Sequence, residues 1–332
     1  MARERVGIVG ATGAVGEEIM AVLEERRFPV SELRLFASKR SIGTRLEFLG
    51  EEVAVEQLDA ARFRGLDIVF FTAGAAISRT FVPKAVAAGA VAIDNSSAFR
   101  MEREVPLVVP EVNAHRLETH QGIIANPNCS TIQLVVVLKP IHDAAQIRRV
   151  VVSTYQATSG KGKRAMDELA RQTANLLNAR PIECRIFPKQ IAFNCLPHID
   201  DFDEAGNTME ERKIVQETKK ILEDDSVAVT ATAVRVPVFN GHSEAVNIEM
   251  AKKLTADEVR RLLREAPGII VEDDPKALVY PTNVACGEQD AVFVGRIRED
   301  PTLPAGLNLW IVADNLRKGA ALNAVEIAEL LP

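Results

Sequence analysis

The chain has 332 residues, of which 47% are hydrophobic and 26% charged, and its formal net charge is −6. The length predicts two domains, and the acidic balance with dispersed Lys and Arg residues argues against a nucleic-acid partner. Apolar runs such as 134–138 are too short to span a bilayer, and the charged start MARERVGIVG has no leader pattern, so we expect a cytoplasmic protein without a membrane partner.

Short apolar runs alternate with helical stretches over roughly the first 125 residues. Strands are predicted at 5–10, 33–38, 66–73 and 90–95, and helices at 15–26 and 77–89. This order of strands and helices predicts a parallel, doubly wound sheet.

The pattern changes after about residue 130. Helices are predicted at 132–145 and 163–178, and strand-like runs at 148–158, 226–238, 244–251, 291–300 and 307–314. We therefore expect a second α/β domain on a larger mixed or antiparallel sheet flanked by helices. A last predicted helix, 315–331, can pack back on the first domain.

The segment GATGAVG follows the first predicted strand and opens the first predicted helix. Its glycines, Gly10, Gly13 and Gly16, permit a tight turn, so that backbone N–H groups at the helix N-terminus can approach a pyrophosphate. A turn with a purely structural role is the alternative, but the strand–turn–helix setting favours nucleotide binding.

The second predicted strand ends in Ser38-Lys39-Arg40-Ser41, where an NAD site usually offers an acid to the ribose hydroxyls. Two cations and two hydroxyls suit a 2′-phosphate instead, because an arginine fork pairs with it through charge-assisted hydrogen bonds. The sequence therefore predicts NADP as the cofactor, and a solvated basic turn is the alternative.

The four cysteines, Cys129, Cys184, Cys195 and Cys286, form no CxxC pair and have no histidine at zinc-ligand spacing. We expect neither a metal site nor a disulfide framework. Cys129, in NPNCST, precedes a helix predicted to begin near Ser130, whose N-terminal N–H groups stabilise a thiolate. Both a nucleophile and a packed structural thiol fit this pattern.

A catalytic base is expected among the five histidines. His242, in VFNGHSEA, is predicted to lie in a glycine-containing loop between two strands, a place where catalytic groups are often held. His198, in NCLPHIDD, is the rival, although its acidic neighbours indicate a structural or surface role. The residue pattern favours His242.

Seven segments occur in order along the chain: GATGAVG, SAFR, NPNCSTIQ, YQATSGKG, EERK, RVPVFNGHSE and DNLRKGAALNA. Together they resemble the aspartate-β-semialdehyde dehydrogenase family, in its bacterial group, over essentially the whole chain. The resemblance implies a Rossmann-like NADP-binding domain over 1–128 plus the C-terminal helix 315–332, and an α/β catalytic and dimerisation domain with a mixed sheet over 129–314. It also implies a homodimer.

The same resemblance implies an enzyme that uses NADPH to convert L-aspartyl 4-phosphate to L-aspartate 4-semialdehyde and phosphate through an acyl-thioester. That reaction serves the biosynthesis of lysine by way of diaminopimelate, and of threonine, methionine and isoleucine. One alternative is a catalytically silent paralogue, which should lack a reacting residue. Another is a related acyl-phosphate reductase such as N-acetyl-γ-glutamyl-phosphate reductase, whose substrate has no free ammonium group.

The resemblance also assigns roles to single residues. It makes Cys129 the nucleophile and His242 the general acid and base, with Gln156 orienting the reacting group and Asn128 lining the same pocket. A silent paralogue would be expected to lose Cys129, Gln156 or His242, and all three are present.

Four further residues match the family's substrate ligands. Arg235 is expected to hold the substrate carboxylate and Glu210 its ammonium, while Lys213 and Arg100 bind the phosphate. On the residue pattern alone, Glu210 and Lys213 fit equally an exposed i,i+3 ion pair on a helix. Residues matched to the cofactor are Gly10, Thr12, Gly13, Ala14, Val15, Gly16, Ser38, Arg40, Ser41, Thr72, Ala73, Gly74, Ser159, Gly160, Pro188 and Asn315.

Overall fold

The computed structural model describes residues 4–332, which form two compact units. One unit contains the described residues up to Asn128 together with Ala320–Pro332, and the other contains Cys129–Gly319. Residues 315–319, expected in the cofactor domain, lie in the second unit. There Asn315 accepts a hydrogen bond from the Gly241 N–H and donates one to Ser159 Oγ.

The strands in chain order are β1 (Glu4–Val9), β2 (Val30–Ala37), β3 (Arg45–Phe48), β4 (Glu51–Gln57), β5 (Ile68–Phe71), β6 (Val91–Asp94), β7 (Ile123–Ala125), β8 (Ile147–Gln156), β9 (Ala228–Arg235), β10 (His242–Met250), β11 (Ile269–Val271), β12 (Val292–Asp300) and β13 (Gly306–Ala313). The helices are α1 (Ala14–Glu25), α2 (Ala75–Ala87), α3 (Pro110–Asn113), α4 (Cys129–Ala145), α5 (Lys163–Leu177), α6 (Met209–Leu222), α7 (Ala256–Glu265), α8 (Asn283–Cys286) and α9 (Leu322–Glu329). No helix within residues 4–332 is long and apolar enough to cross a membrane.

The first unit is built on a sheet in the order β3-β4-β2-β1-β5-β6-β7. Its strand pairs are parallel, except that β3 and β4 form an antiparallel pair at the edge. The IVFF sequence of β5 is buried throughout, as expected for a strand covered on both faces. Helix α9 packs against α1, where Arg26 and Glu329 form an ion pair at 2.6 Å.

The β3–β4 hairpin was not predicted from the sequence. Its turn residues, Leu49 and Gly50, have φ angles of +52° and +78°. Two-residue hairpin turns with positive φ at both positions are usually marked by Asn-Gly or Asp-Gly, so a leucine at the first position conceals the turn. The predicted last helix also differs, because residues 317–321 form a π-helical turn before α9 begins.

The second unit is built on a sheet in the order β11-β12-β13-β10-β8-β9. Pairs β8–β9 and β11–β12 are parallel, and the other pairs are antiparallel, so the sheet is mixed as expected. It has fewer strands than the first sheet, six against seven, but most of its strands are longer. Helix α4 packs against β8, β10, β12 and β13.

One edge of this second sheet brings three candidate residues together. Gln156 ends β8, Arg235 ends β9, and the parallel register pairs the two residues directly. His242 begins β10, which runs antiparallel to β8. His242 therefore lies at the start of a strand and not in the preceding loop, as the sequence analysis had placed it.

Candidate active site

Cys129 is the first residue of α4. Its side chain is partly exposed, whereas the helix behind it is buried from Ser130 to Leu138. The first N–H groups of a helix have no partner within the helix, so they can stabilise negative charge on the sulfur or on a bound oxygen. Asn128, which directly precedes Cys129, is buried. Gly319 lies close to the thiol, since a Cβ atom at Gly319 would be 3.1 Å from Cys129 Cβ.

His242 is fully buried, and its two ring nitrogens have different surroundings. Nδ1 accepts a hydrogen bond from the Ala157 N–H at 3.0 Å. Nε2 has no hydrogen-bond partner among residues 4–332. Burial, and then the positive charge of Arg235, lower the pKa of His242 to about 3. The neutral imidazole therefore carries its proton on Nε2, which is a hydrogen-bond donor in the resting protein.

Arg235, the last residue of β9, is the buried cation beside His242. It is 5% exposed, and its Nη1 donates to the Ala157 carbonyl at 2.7 Å. Burial lowers the pKa of Arg235, while the opposite charges of Glu210 and Cys129 counteract that decrease. A guanidinium remains charged under such conditions, so the buried positive charge of Arg235 acts on both Glu210 and Cys129.

Gln156 links the nucleophile helix to the substrate-binding candidates. Its Nε2 donates to Ser130 Oγ at 2.9 Å and to Glu210 Oε1 at 3.0 Å. Thr154 donates from its hydroxyl to Gln156 Oε1 at 3.5 Å. The amide of Gln156 is therefore held in one orientation by its neighbours, as an orienting residue requires.

Glu210 and Lys213 do not form an exposed surface pair. The Glu210 side chain is 7% exposed, and its Oε2 lies 3.2 Å from Lys213 Nζ. Lys213 also pairs with Asp200. Burial alone would lower the pKa of Lys213, but the charges of Glu210 and Asp200 outweigh it and raise that pKa. The pair is therefore part of a charged, partly buried cluster. Gln156 belongs to this cluster because it donates a hydrogen bond to Glu210.

Arg100 and His198, two further candidates from the sequence, have different surroundings. Arg100 lies in the first unit, where Nε donates to the Asn126 carbonyl and Nη2 to the Asn95 carbonyl, each at 2.9 Å. The rival base His198 stacks on Phe202, with ring centroids 4.6 Å apart. This contact fits the structural role that its sequence neighbours indicated.

The glycine turn of the first unit connects β1 to α1. Gly10 has a φ of +93°, and a Cβ atom there would lie 2.5 Å from Thr72 Oγ1. A Cβ atom at Gly16 would lie 2.4 Å from the Gly10 carbonyl oxygen, so the helix packs against the turn only because Gly16 has no side chain. These two close approaches are the ones that a dinucleotide-binding turn requires.

A cavity of about 500 Å³ opens beside this turn. Six of the predicted cofactor residues line it, namely Gly10, Thr12, Gly13, Ser38, Thr72 and Ala73. The predicted residues Ala14, Val15, Gly16, Arg40, Ser41 and Gly74 do not line it, although Ser41 Oγ lies 3.2 Å from Thr12 Oγ1. The other residues that line the cavity were not assigned to the cofactor from the sequence, namely Val9, Ala37, Lys39, Gln57, Leu58, Ile77 and Phe81.

The other predicted cofactor residues, Ser159, Gly160, Pro188 and Asn315, lie in the second unit. Ser159 and Asn315 bind each other, and Pro188 is exposed. Gly160 lies against the catalytic candidates, because a Cβ atom there would be 2.9 Å from Arg235 Nη1 and 3.2 Å from His242 Nε2. Gly160 therefore lies directly beside Arg235 and His242 in the candidate active site.

Comparisons with known proteins agree with this arrangement. A model of the semialdehyde dehydrogenase NAD binding domain matches residues 5–120, and one of the semialdehyde dehydrogenase dimerisation domain matches residues 138–318. The aspartate-semialdehyde dehydrogenase of Legionella pneumophila is 57% identical, over 98% of this chain and 95% of that protein. The aspartate-semialdehyde dehydrogenase of Bacillus subtilis is 48% identical, over 98% of this chain and 96% of that protein.

Solved structures give the same result. Aspartate semialdehyde dehydrogenase II from Vibrio cholerae, complexed with ASA, has a TM-score of 0.96 and 50% identity, covering 100% of this chain and 98% of that chain. The enzyme from Candida albicans with NADP has a TM-score of 0.76 and 26% identity, covering 99% and 98%. The first unit is accordingly a nicotinamide-cofactor domain of an oxidoreductase. The chain belongs to the aspartate-semialdehyde dehydrogenase family.

Proposed function

We propose that this chain converts L-aspartyl 4-phosphate to L-aspartate 4-semialdehyde and phosphate with NADPH, and that Cys129 carries the acyl group as a thioester. The main support is one juxtaposition in the second unit. Arg235 interacts with both Cys129 and Glu210, and Gln156 joins Ser130 to Glu210. A nucleophile, a carboxylate ligand and an ammonium ligand therefore meet in one cluster.

The charges of the cluster select a free amino acid. Arg235 offers a planar fork to the substrate carboxylate, and Glu210 offers a buried anion to its ammonium group. An N-acetylated substrate offers no cation to Glu210, so it would gain no ion pair there. The charges of Arg235 and Glu210 therefore favour aspartyl phosphate over an N-acetyl-γ-glutamyl phosphate. We assign phosphate binding to Lys213 and Arg100.

Acylation begins with the thiolate of Cys129. Its sulfur attacks the acyl carbonyl carbon, the carbon–oxygen bond to phosphate breaks, and phosphate leaves with that electron pair. Backbone N–H groups at the start of α4, with the amide of Asn128, stabilise the oxyanion of the tetrahedral state. Opposite charges stabilise each other, so Arg235 also favours the anionic sulfur.

His242 acts through Nε2, since Nδ1 is occupied by the Ala157 N–H. In the resting tautomer, Nε2–H donates to the oxygen on which negative charge develops. We assign the acid–base exchange during collapse of the hemithioacetal to this same atom. A basic Nε2 requires the proton to move to Nδ1, which displaces the Ala157 hydrogen bond.

The cofactor is assigned as NADP. We propose that the turn residues Gly10–Gly16 hold the pyrophosphate, and that Arg40, Ser41 and Ser38 bind the 2′-phosphate. The hydroxyl contact between Ser41 and Thr12 supports this, because it joins the basic turn to a residue of the cavity. When bound, the reduced nicotinamide supplies the hydride that converts the thioester to the aldehyde level.

We propose a homodimer that uses the outer face of the second sheet. Tyr155 and Trp310 lie on the face opposite His242 and Glu244, with ring centroids 5.4 Å apart. Tyr155 is 37% exposed, and Tyr280 nearby is 44% exposed. Exposed aromatic clusters of this kind are typical of subunit interfaces. Trp310→Glu should shift the sedimentation of the protein toward the monomer, and an unchanged dimer would place the interface elsewhere.

The proposed reaction is tested most directly in reverse. Aspartate semialdehyde, phosphate and NADP⁺ should give NADPH, followed by nicotinamide absorbance, and omission of phosphate should abolish it. Absence of NADPH formation by well-folded protein would refute the proposed function. N-acetylglutamate semialdehyde should be a poor substrate under the same conditions.

The variant Cys129→Ser distinguishes a nucleophilic role of the Cys129 thiol from a packing role. This variant should lose roughly 10³-fold or more in kcat while NADP⁺ binding persists. The matched control is Cys195→Ser, since Cys195 is an exposed free cysteine. Equal activities of the two variants would contradict the thioester assignment.

A further inference from the structure

Glu244 is a fully buried acid in the centre of the second sheet. It lies on β10, two residues after His242, and therefore points to the same face of the strand. β10 is flanked by β8 and β13, and Glu244 pairs with Thr154 and Ile311. Its side chain is 0% exposed, and neither carboxyl oxygen has a hydrogen-bond partner among residues 4–332.

Gln133 is the polar side chain next to Glu244. It lies on α4 four residues after Cys129, one helical turn along the same face. Gln133 is also 0% exposed, and its Nε2 donates to the His242 carbonyl oxygen at 3.4 Å. Its Oε1 has no hydrogen-bond donor in the described part of the chain. The one amide thus connects the nucleophile helix to the strand that carries the histidine.

The two side chains leave a mismatch of donors and acceptors. An ionised Glu244 has acceptors only, and neither its oxygens nor Gln133 Oε1 has a donor among residues 4–332. A buried carboxylate without a partner costs several kcal/mol, so the group takes up a proton instead. Burial indeed raises the pKa of Glu244 well above its ordinary value, although the Gln133 amide opposes the increase. A protonated Glu244 has the O–H donor that Gln133 Oε1 lacks.

We propose that Glu244, as a neutral carboxylic acid, and Gln133 form a positioning pair that fixes the His242 end of β10 against the Cys129 end of α4. The O–H of Glu244 donates to Gln133 Oε1, and Gln133 Nε2 donates to the His242 carbonyl. Thr154 directs its hydroxyl to Gln156, so it does not supply the missing donor. Neither Glu244 nor Gln133 contacts substrate. Both act through the relative position of His242 Nε2 and Cys129 Sγ.

The proposal rests on the proposed function, because its kinetic test reads kcat in that reaction. Glu244→Gln keeps the shape and supplies an N–H donor to Gln133, so it should retain most of the wild-type kcat. Glu244→Met fills similar space without a donor, and it should lower kcat by on the order of tenfold to a hundredfold at little-changed KM, as expected from a misplaced catalytic group. Gln133→Met should have the same effect, and the double variant should add little, because both changes break one link.

Two kinetic results would overturn the pair. Full activity of Glu244→Met would remove the positioning role, and equal damage by Glu244→Gln and Glu244→Met would show that an ionised carboxylate is needed. Melting temperatures of all variants identify losses that arise from unfolding alone.

A second measurement does not depend on turnover. The infrared difference spectrum of wild-type protein minus Glu244→Gln should show the carbonyl band of a protonated carboxylic acid at neutral pH. Carboxylate bands in its place would contradict the proposed pairing. If the wild-type protein fails the reverse reaction, the proposed function is wrong, and the infrared result still decides the state of Glu244 and its pairing with Gln133.

Discussion

The backbone N–H of Ala157 donates to Nδ1 of His242 at 3.0 Å. This single contact decides how the histidine can work, because it leaves Nε2 as the ring atom available to a ligand. It also joins the end of β8 to the start of β10, the two strands that carry Gln156 and His242. A hydrogen bond from the backbone that follows β8 to the His242 ring therefore ties the proposed acid–base group to the strand that carries Gln156.

The buried His242 should make stability depend on pH. Its pKa is about 3 in the folded chain against an ordinary 6.5, so the unfolded chain binds a proton there first as pH falls. The free energy of unfolding should therefore decrease from pH 6.5 toward pH 3 by up to about 1.4 kcal/mol per pH unit from this group. Above pH 6.5 this contribution is fully present.

Urea unfolding of wild-type protein and His242→Gln at several pH values measures that contribution. Other titrating groups affect both proteins alike, so the difference between the two slopes reports His242. Equal slopes in the two proteins would show that His242 titrates normally in the folded chain.

Gly160 should tolerate no side chain. A Cβ atom there would lie 2.9 Å from Arg235 Nη1 and 3.2 Å from His242 Nε2, so Gly160→Ala pushes both groups out of place. We expect a loss in kcat/KM of on the order of a hundredfold with the fold retained. Gly287→Ala is the matched control, because its Cβ atom would meet nothing closer than 3.6 Å. Similar activities for the two variants would argue against a crowded site.

Much of the candidate site could be predicted because seven segments of the chain resemble one family, whereas the residue pattern alone favoured only His242. Gln156 and Arg235 end strands and His242 begins one, so strand pairing brings these three to one sheet edge, while Cys129 begins the helix that packs on the same sheet. The order of strands and helices likewise predicted the parallel sheet of the first unit. Periodicity and motif spacing carry this kind of information.

Other features depend on tertiary contacts that a sequence pattern does not contain. The proposed roles of Gln133 and Glu244 depend on which helix faces which strand, and other polar residues stand close to both in the sequence, so neither was singled out. Lys39 was visible in the basic turn, but its place in the cavity follows from the turn geometry. The hairpin at Leu49 was missed because its turn lacks the usual residues.

Substitution of Lys213 distinguishes a role in phosphate binding from a purely structural ion pair. If it binds phosphate, Lys213→Met should raise KM for phosphate about tenfold and leave KM for NADP⁺ unchanged, since a lost charge-assisted hydrogen bond costs about that much. Lys219→Met, on the same helix α6, is the control. An unchanged KM for phosphate with a lowered melting temperature would mean that Lys213 serves only Glu210 and Asp200.

Arg40 should determine the preference for NADP over NAD. Its guanidinium can pair with a 2′-phosphate through two hydrogen bonds, and its neighbour Ser41 contacts Thr12 of the cofactor turn. Arg40→Gln should therefore raise KM for NADP⁺ by roughly tenfold or more and leave KM for NAD⁺ nearly unchanged. Lys39→Gln is the informative comparison, because Lys39 lines the cavity beside Ser38 and carries a single charged group. A larger effect at Lys39 would assign the 2′-phosphate to the lysine. The phosphate would then be bound in the cavity that Lys39 lines and not at Arg40. Preference of the wild-type protein for NAD⁺ would contradict both assignments.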